Sequence, residues 1–139
     1  MTLRTKRAYE PAAASDGARY LIDRLWPRGV RSKDLRLTAW RKELAPSDEL
    51  RRFFQHDPDR FSEFRDRYLQ ELEPHAEELV RLREEARTGT VTLVYAARDG
   101  LRCNAGVLAE LLTSSDPTRF PPAPKDGGSR GRRSLPGGD

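Results

Sequence analysis

This chain predicts a small α/β domain built on a mostly parallel sheet. Three observations carry that expectation. Val91-Thr92-Leu93-Val94-Tyr95-Ala96-Ala97 is apolar and rich in β-branched residues, the clearest strand pattern in the chain. Tyr20-Leu21-Ile22 centres a second apolar run. Between the two lies a long segment with helical periodicity. A strand, a helical excursion and a second buried strand make a crossover, which implies parallel neighbours and a right-handed connection.

Residues 3–9 are β-tolerant and weakly patterned, and read as a first strand near the sheet edge. The Asp16-Gly17 pair signals a turn, and residues 18–25 form the second strand. Residues 27–34 are a basic loop. Thr38 caps a short helix running through Trp40 and Leu44, which Ala45-Pro46-Ser47 then breaks. Ser47 is the N-cap for residues 48–54, with acids in the first turn where the helix dipole favours them.

Asp57 caps the next helix, with Pro58 at its first position. Phe61, Phe64, Tyr68 and Leu72 recur every three or four residues, so one apolar stripe faces the core. Pro74 ends or kinks that helix. A further one turns Ala76, Leu79, Val80, Leu82 and Ala86 inward and stops near Gly89. Residues 98–102 form a loop, and residues 104–112 a last amphipathic helix.

The length of 139 residues suits one domain. Residues 1–113 are assigned to it. Residues 114–139 hold 5 of the 10 prolines and 5 of the 10 glycines, and read as a disordered basic tail. The net charge of +4 is uneven: residues 1–37 carry 9 basic and 4 acidic side chains, residues 38–88 carry 10 and 13. A mixed pattern suits a small anionic ligand better than a nucleic-acid backbone, which wants a continuous basic stripe. The single cysteine excludes an internal disulfide and a multi-cysteine metal site. No apolar run reaches membrane-span length and no secretory signal opens the chain. A cytoplasmic protein, monomeric or a small homo-oligomer, is the expectation.

The densest chemistry lies in Asp23-Arg24-Leu25-Trp26-Pro27-Arg28-Gly29, at the carboxyl end of the second strand. Ligands of α/β proteins gather at such ends. If the two buried strands are parallel neighbours, this loop meets the one before the last helix, which adds Arg98, Asp99, Arg102, Cys103 and Asn104. Arg24 or Arg28 would clamp an anion, with Trp26 and Arg98 also lining the site, and the helix start at Asn104 would supply backbone donors. Asp23 or Asp99 would be the proton acceptor if chemistry occurs. Each of these residues alone suits a structural role equally well; the cluster tips the balance toward function.

Cys103 beside two arginines occupies a setting that lowers a thiol pKa, yet no base or second cysteine is near in sequence, and an inert thiol is the stronger reading. His56 reads as a cap or packing element, not a metal ligand. No glycine-rich phosphate loop, dinucleotide fingerprint, nucleophile elbow or zinc motif is present, so no cofactor and no metal are implied. Two other functions compete: nucleic-acid binding through the basic amino-terminal part and the tail, and a regulatory module in which Trp26 and Trp40 anchor a protein partner.

The Asp23–Gly29 string, with Lys6-Arg7-Ala8-Tyr9, Trp40-Arg41-Lys42-Glu43, Ala45-Pro46-Ser47-Asp48-Glu49-Leu50-Arg51 and Thr92-Leu93-Val94-Tyr95-Ala96-Ala97, resembles the YeaO-like branch of the family called domain of unknown function 488. The resemblance spans about residues 3–113. It implies a small bacterial cytosolic α/β domain and carries no established activity. Members usually show Asn, then His or Asn, then Ala at the start of the last helix; this chain has Cys103-Asn104-Ala105.

Overall fold

The computed structural model describes residues 2–100 and 102–114. The expected tail, beyond its first residue, lies outside them. Four strands, β1 (Thr2–Arg7), β2 (Ala18–Leu21), β3 (Ala39–Trp40) and β4 (Thr90–Tyr95), form one sheet in the order β1-β4-β2-β3. Every pairing is parallel. The two apolar runs are thus the central strands, and β1 is an edge strand as its weak patterning suggests. Residues 91–95 are all buried, because β4 is covered on both faces and flanked on both sides.

Five helices accompany the sheet: α1 (Ser32–Leu35), α2 (Asp48–Phe54), α3 (Phe61–Leu72), α4 (Ala76–Thr88) and α5 (Asn104–Thr113). Their ends follow local chemistry. Ser47 Oγ accepts from the Leu50 amide at the start of α2, and Asp57 from the Asp59 amide before Pro58. Pro74 sits in a 3-10 turn between α3 and α4. The α3 stripe buries Phe64, Tyr68 and Leu72, as its spacing requires.

The sheet's two faces are covered differently. On one, Tyr20, Ile22, Val91, Leu93 and Tyr95 pack with residues of α2 to α5. On the other, Leu21 and Val94 pack with Ala8 and Leu35, flanked by Trp26, Val30, Leu37 and Trp40. The segment from Trp26 to Trp40 therefore roofs the second face.

That roof corrects one expectation. Residues 38–44 do not form a helix capped by Thr38. Ala39–Trp40 add as strand β3, held by Thr38 N–H to Arg19 O (2.7 Å) and Arg41 N–H to Leu21 O (2.8 Å). The Thr38 hydroxyl accepts from the Arg19 amide across the strands. Only residues 42–44 turn, as a 3-10 element. Pairing with the open edge of β2 overrides a helical signal too short to nucleate. The central strands also end earlier than expected, β2 at Leu21 and β4 at Tyr95, which frees the residues after them to leave the sheet plane. Among the described residues, no helix is long and apolar enough to cross a membrane.

Candidate functional site

The parallel pairing of β2 with β4 brings their carboxyl ends together, and Asp23 joins them. Its Oδ2 accepts from the Ala96 amide (2.9 Å) and its Oδ1 from Asn104 Nδ2 (2.9 Å). Asn104 Nδ2 also donates to Ile22 O (2.8 Å), so one side-chain amide ties the start of α5 to the end of β2. Arg7, at the end of β1, donates through Nε to Ala97 O and through Nη2 to Ala96 O. The Ala96 peptide is thus held by an acid at its N–H and a guanidinium at its C=O. Burial pushes the Asp23 carboxyl above its ordinary value, and the hydrogen bonds from Asn104 and Ala96 offset this only partly.

Above this junction opens a cleft of about 390 Å³. Asp23 and Asn104 line it with Arg24, Trp26 and Arg28. Arg24 Nε donates to Pro46 O (3.0 Å), and its guanidinium lies 4.0 Å from Asp48. Pro46 is placed by its neighbour: the Ser47 amide and hydroxyl both donate to Glu71 on α3 (2.8 and 2.6 Å). Arg28 is exposed on the rim, where its backbone carbonyl accepts from Tyr9 Oη. The Trp26 indole donates to Val30 O (2.7 Å) and meets Trp40 edge-on, with ring centroids 5.4 Å apart. Trp40 in turn donates to Asp23 O (2.7 Å). Both tryptophans are partly buried with their N–H groups satisfied internally, so they brace the Asp23 loop.

Arg98 and Asp99 line a second lobe of about 420 Å³, together with Arg102. The lobes share Phe54, His56, Ala96 and Ala97. Asp99 Oδ1 accepts from the Arg102 amide (3.0 Å).

Two site residues come from the helical excursion and escaped the sequence reading. Arg51, on α2, lines the first lobe and pairs with Asp48 at 2.7 Å. His56 stands between the lobes, its ring 5.6 Å from that of Phe54. Gln55 and His56 both have positive φ, +45° and +56°. Such backbone costs about 1–3 kcal/mol at each non-glycine residue, and it turns the chain sharply at the end of α2. The only sequence signal was the break at Gln55-His56-Asp57-Pro58, which marks a turn without saying what the turn faces.

One expectation about the start of α5 needs correction, and the reading of Cys103 as an inert thiol agrees with that correction. Cys103 is 1 % exposed, and burial pushes its thiol pKa up, not down. The backbone at Ala105 and Gly106 offsets that rise only in part, and the Cys103 side chain makes no capping hydrogen bond to the helix. Asn104 enters the site through its side chain. The Arg102 guanidinium faces Asp99, 4.0 Å away. Among the described residues, no group of three or more His, Cys, Asp or Glu could hold a metal ion.

Comparison with known proteins matches this architecture to a lineage. The chain is 45% identical over 114 residues to the uncharacterized protein YeaO of Escherichia coli K12, covering 82% of this chain and 99% of that one. It is 46% identical over 110 residues to the uncharacterized proteins Rv3073c of Mycobacterium tuberculosis H37Rv and Mb3100c of Mycobacterium bovis, covering 79% of this chain and 92% of each of those. No solved structure matches it significantly. The family model described as the inactive DUF488-N3 subclade matches residues 2–120, which include both strand ends and the excursion between them. The chain belongs to that subclade of the DUF488 family.

Proposed function

We propose that the cleft binds a small cytoplasmic ligand bearing a phosphate or carboxylate group, and holds it without turning it over. The observation that carries this reading is the convergence of Arg24, Arg28 and Arg51 on one cleft whose only lining acid among the described residues is Asp23. Guanidinium groups suit oxyanions through paired, charge-assisted hydrogen bonds. Asp48 competes for Arg24 and Arg51, but it is 57% exposed, and an ion pair so open to water is worth about 0–1 kcal/mol. An incoming anion can displace it. Arg28 makes no ion pair among the described residues and is the clamp least engaged by the fold.

Binding without turnover is supported by the state of the carboxylates. Each oxygen of Asp23 already accepts a hydrogen bond from the fold, so its work in this reading is to set the cleft floor. Asp99 is exposed and occupied by the Arg102 amide. The subclade's description as inactive points the same way.

Calorimetric titration with a panel of sugar phosphates, nucleotides and dicarboxylates tests the proposal. At least one class should bind the wild type, and Arg28→Ala should weaken it about tenfold, or 1.4 kcal/mol. Its melting temperature should stay unchanged. A panel without a binder, or a binder indifferent to Arg28→Ala, overturns the reading.

A further inference from the structure

The geometry points to a ligand with an anionic group at each end, one for each lobe, joined by an apolar midsection seated across His56. This inference rests on the reading of the cleft as an anion site and narrows what the site accepts.

The lobes are alike in size, about 390 and 420 Å³, and adjoin through shared walls. Each carries an excess of guanidinium over carboxylate: Arg24, Arg28 and Arg51 against Asp23 in the first, Arg98 and Arg102 against Asp99 in the second. A ligand with one anionic group leaves one basic lobe unanswered. A ligand charged along its whole length meets an unsuitable middle, because the saddle between the lobes is formed by Phe54, His56, Ala96 and Ala97. Part of the saddle's backbone is already committed. The Ala96 N–H is held by Asp23, and the carbonyls of Ala96 and Ala97 are held by Arg7. What the saddle offers is alanine methyl surface and an exposed imidazole braced by Phe54, which suits a flat or apolar group. His56 lines both lobes and so lies between the two sets of arginines.

Three synthetic probes separate the possibilities: phenyl phosphate, 1,4-phenylene bisphosphate and 4,4′-biphenyl bisphosphate. Calorimetry on the wild-type chain should find at least one bisphosphate bound about tenfold or more tighter than phenyl phosphate, since the second end binds at high effective concentration. Arg98→Ala should erase that advantage while leaving phenyl phosphate within about twofold of its wild-type affinity. Arg28→Ala should weaken all three. Equal affinities for the three probes, or a bisphosphate advantage that survives Arg98→Ala, overturns the two-ended ligand while leaving the anion site standing. No binding by any probe, with Arg28→Ala equally silent across the wider panel, defeats the anion site and this inference together.

Discussion

Strand β2 has an acid just before it and an acid just after it, and the two live in opposite surroundings. Asp16 is 2 % exposed and gathers cations: Arg19 Nη1 at 2.6 Å, Lys6 Nζ at 3.1 Å and Arg4 Nη1 at 3.9 Å. It also accepts from the Ala13 amide, while its own carbonyl accepts from Thr92 Oγ1. Asp23 gathers neutral donors, the Ala96 amide and the Asn104 side chain, and the arginines near it face a cleft. At the amino end of the strand the positive charge is consumed by the fold. At the carboxyl end Arg24 and Arg51 are held by a backbone carbonyl and an exposed carboxylate at the lip of the cleft. A basic composition therefore says little until each guanidinium is assigned a partner.

The sharpest way to break the comparison is to remove the first acid. Asp16→Ala leaves Arg19, 3 % exposed, without its carboxylate and with a second buried nitrogen, Nη2, that already lacks a partner among the described residues. Loss of one member of a buried pair costs about 3–5 kcal/mol, and urea denaturation should show a loss of that size. Gly17 beside it is equally unforgiving: its φ is +66°, and a Cβ would collide with the Thr90 carbonyl oxygen.

Asp23→Ala should cost less, about 0.5–1.5 kcal/mol, because the Ala96 amide it strands is only part-buried and Asn104 keeps its bond to Ile22. The same denaturation series measures it. Anion affinity in the cleft should change in this variant, where a lining carboxylate and its ties to Ala96 and Asn104 are lost, and stay at its wild-type value in any folded Asp16 variant.

The two acids should also respond to pH with opposite sign. Burial pushes Asp16 upward, but the Ala13 amide, Lys6 and Arg19 outweigh it and bring its carboxyl below 3.8. Its stabilisation is present above 3.8 and is lost as pH falls through the folded-state value. Asp23 lies above 3.8 when folded. Its ionised form is penalised at higher pH, and the penalty is relieved as pH falls through the folded-state value, fully by 3.8. Carbon-13 titration of the two carboxyls should place their midpoints on opposite sides of 3.8. Midpoints on the same side would collapse the contrast.

The smallest effect sharpens the carboxyl end alone. Asp48→Asn frees Arg51 and relaxes Arg24, at a stability change under about 1 kcal/mol. Anion affinity should rise about two- to threefold, read by the same titrations, because the ligand no longer competes with a surface carboxylate.

Much of this protein was determined by residues close together in the chain. The β-branched run of β4, the aromatic stripe of α3 and the caps at Ser47 and Asp57 are local patterns, and local patterns act through neighbours a few residues away. The adjacency of the Asp23 and Asn104 loops follows from the crossover between two parallel neighbouring strands. Tertiary structure alone decided the rest. Asp16-Gly17 reads as a turn and is also the centre of a buried ion cluster, because strand pairing delivers Lys6 and Arg19 to it. Ala39–Trp40 carries no strand signal of its own and pairs because β2 presents an open edge. Arg51 and His56 reach the cleft because α2 ends above the strand termini. Partners of a charge are chosen by which chains pass through the same few ångströms, and sequence separation does not encode that.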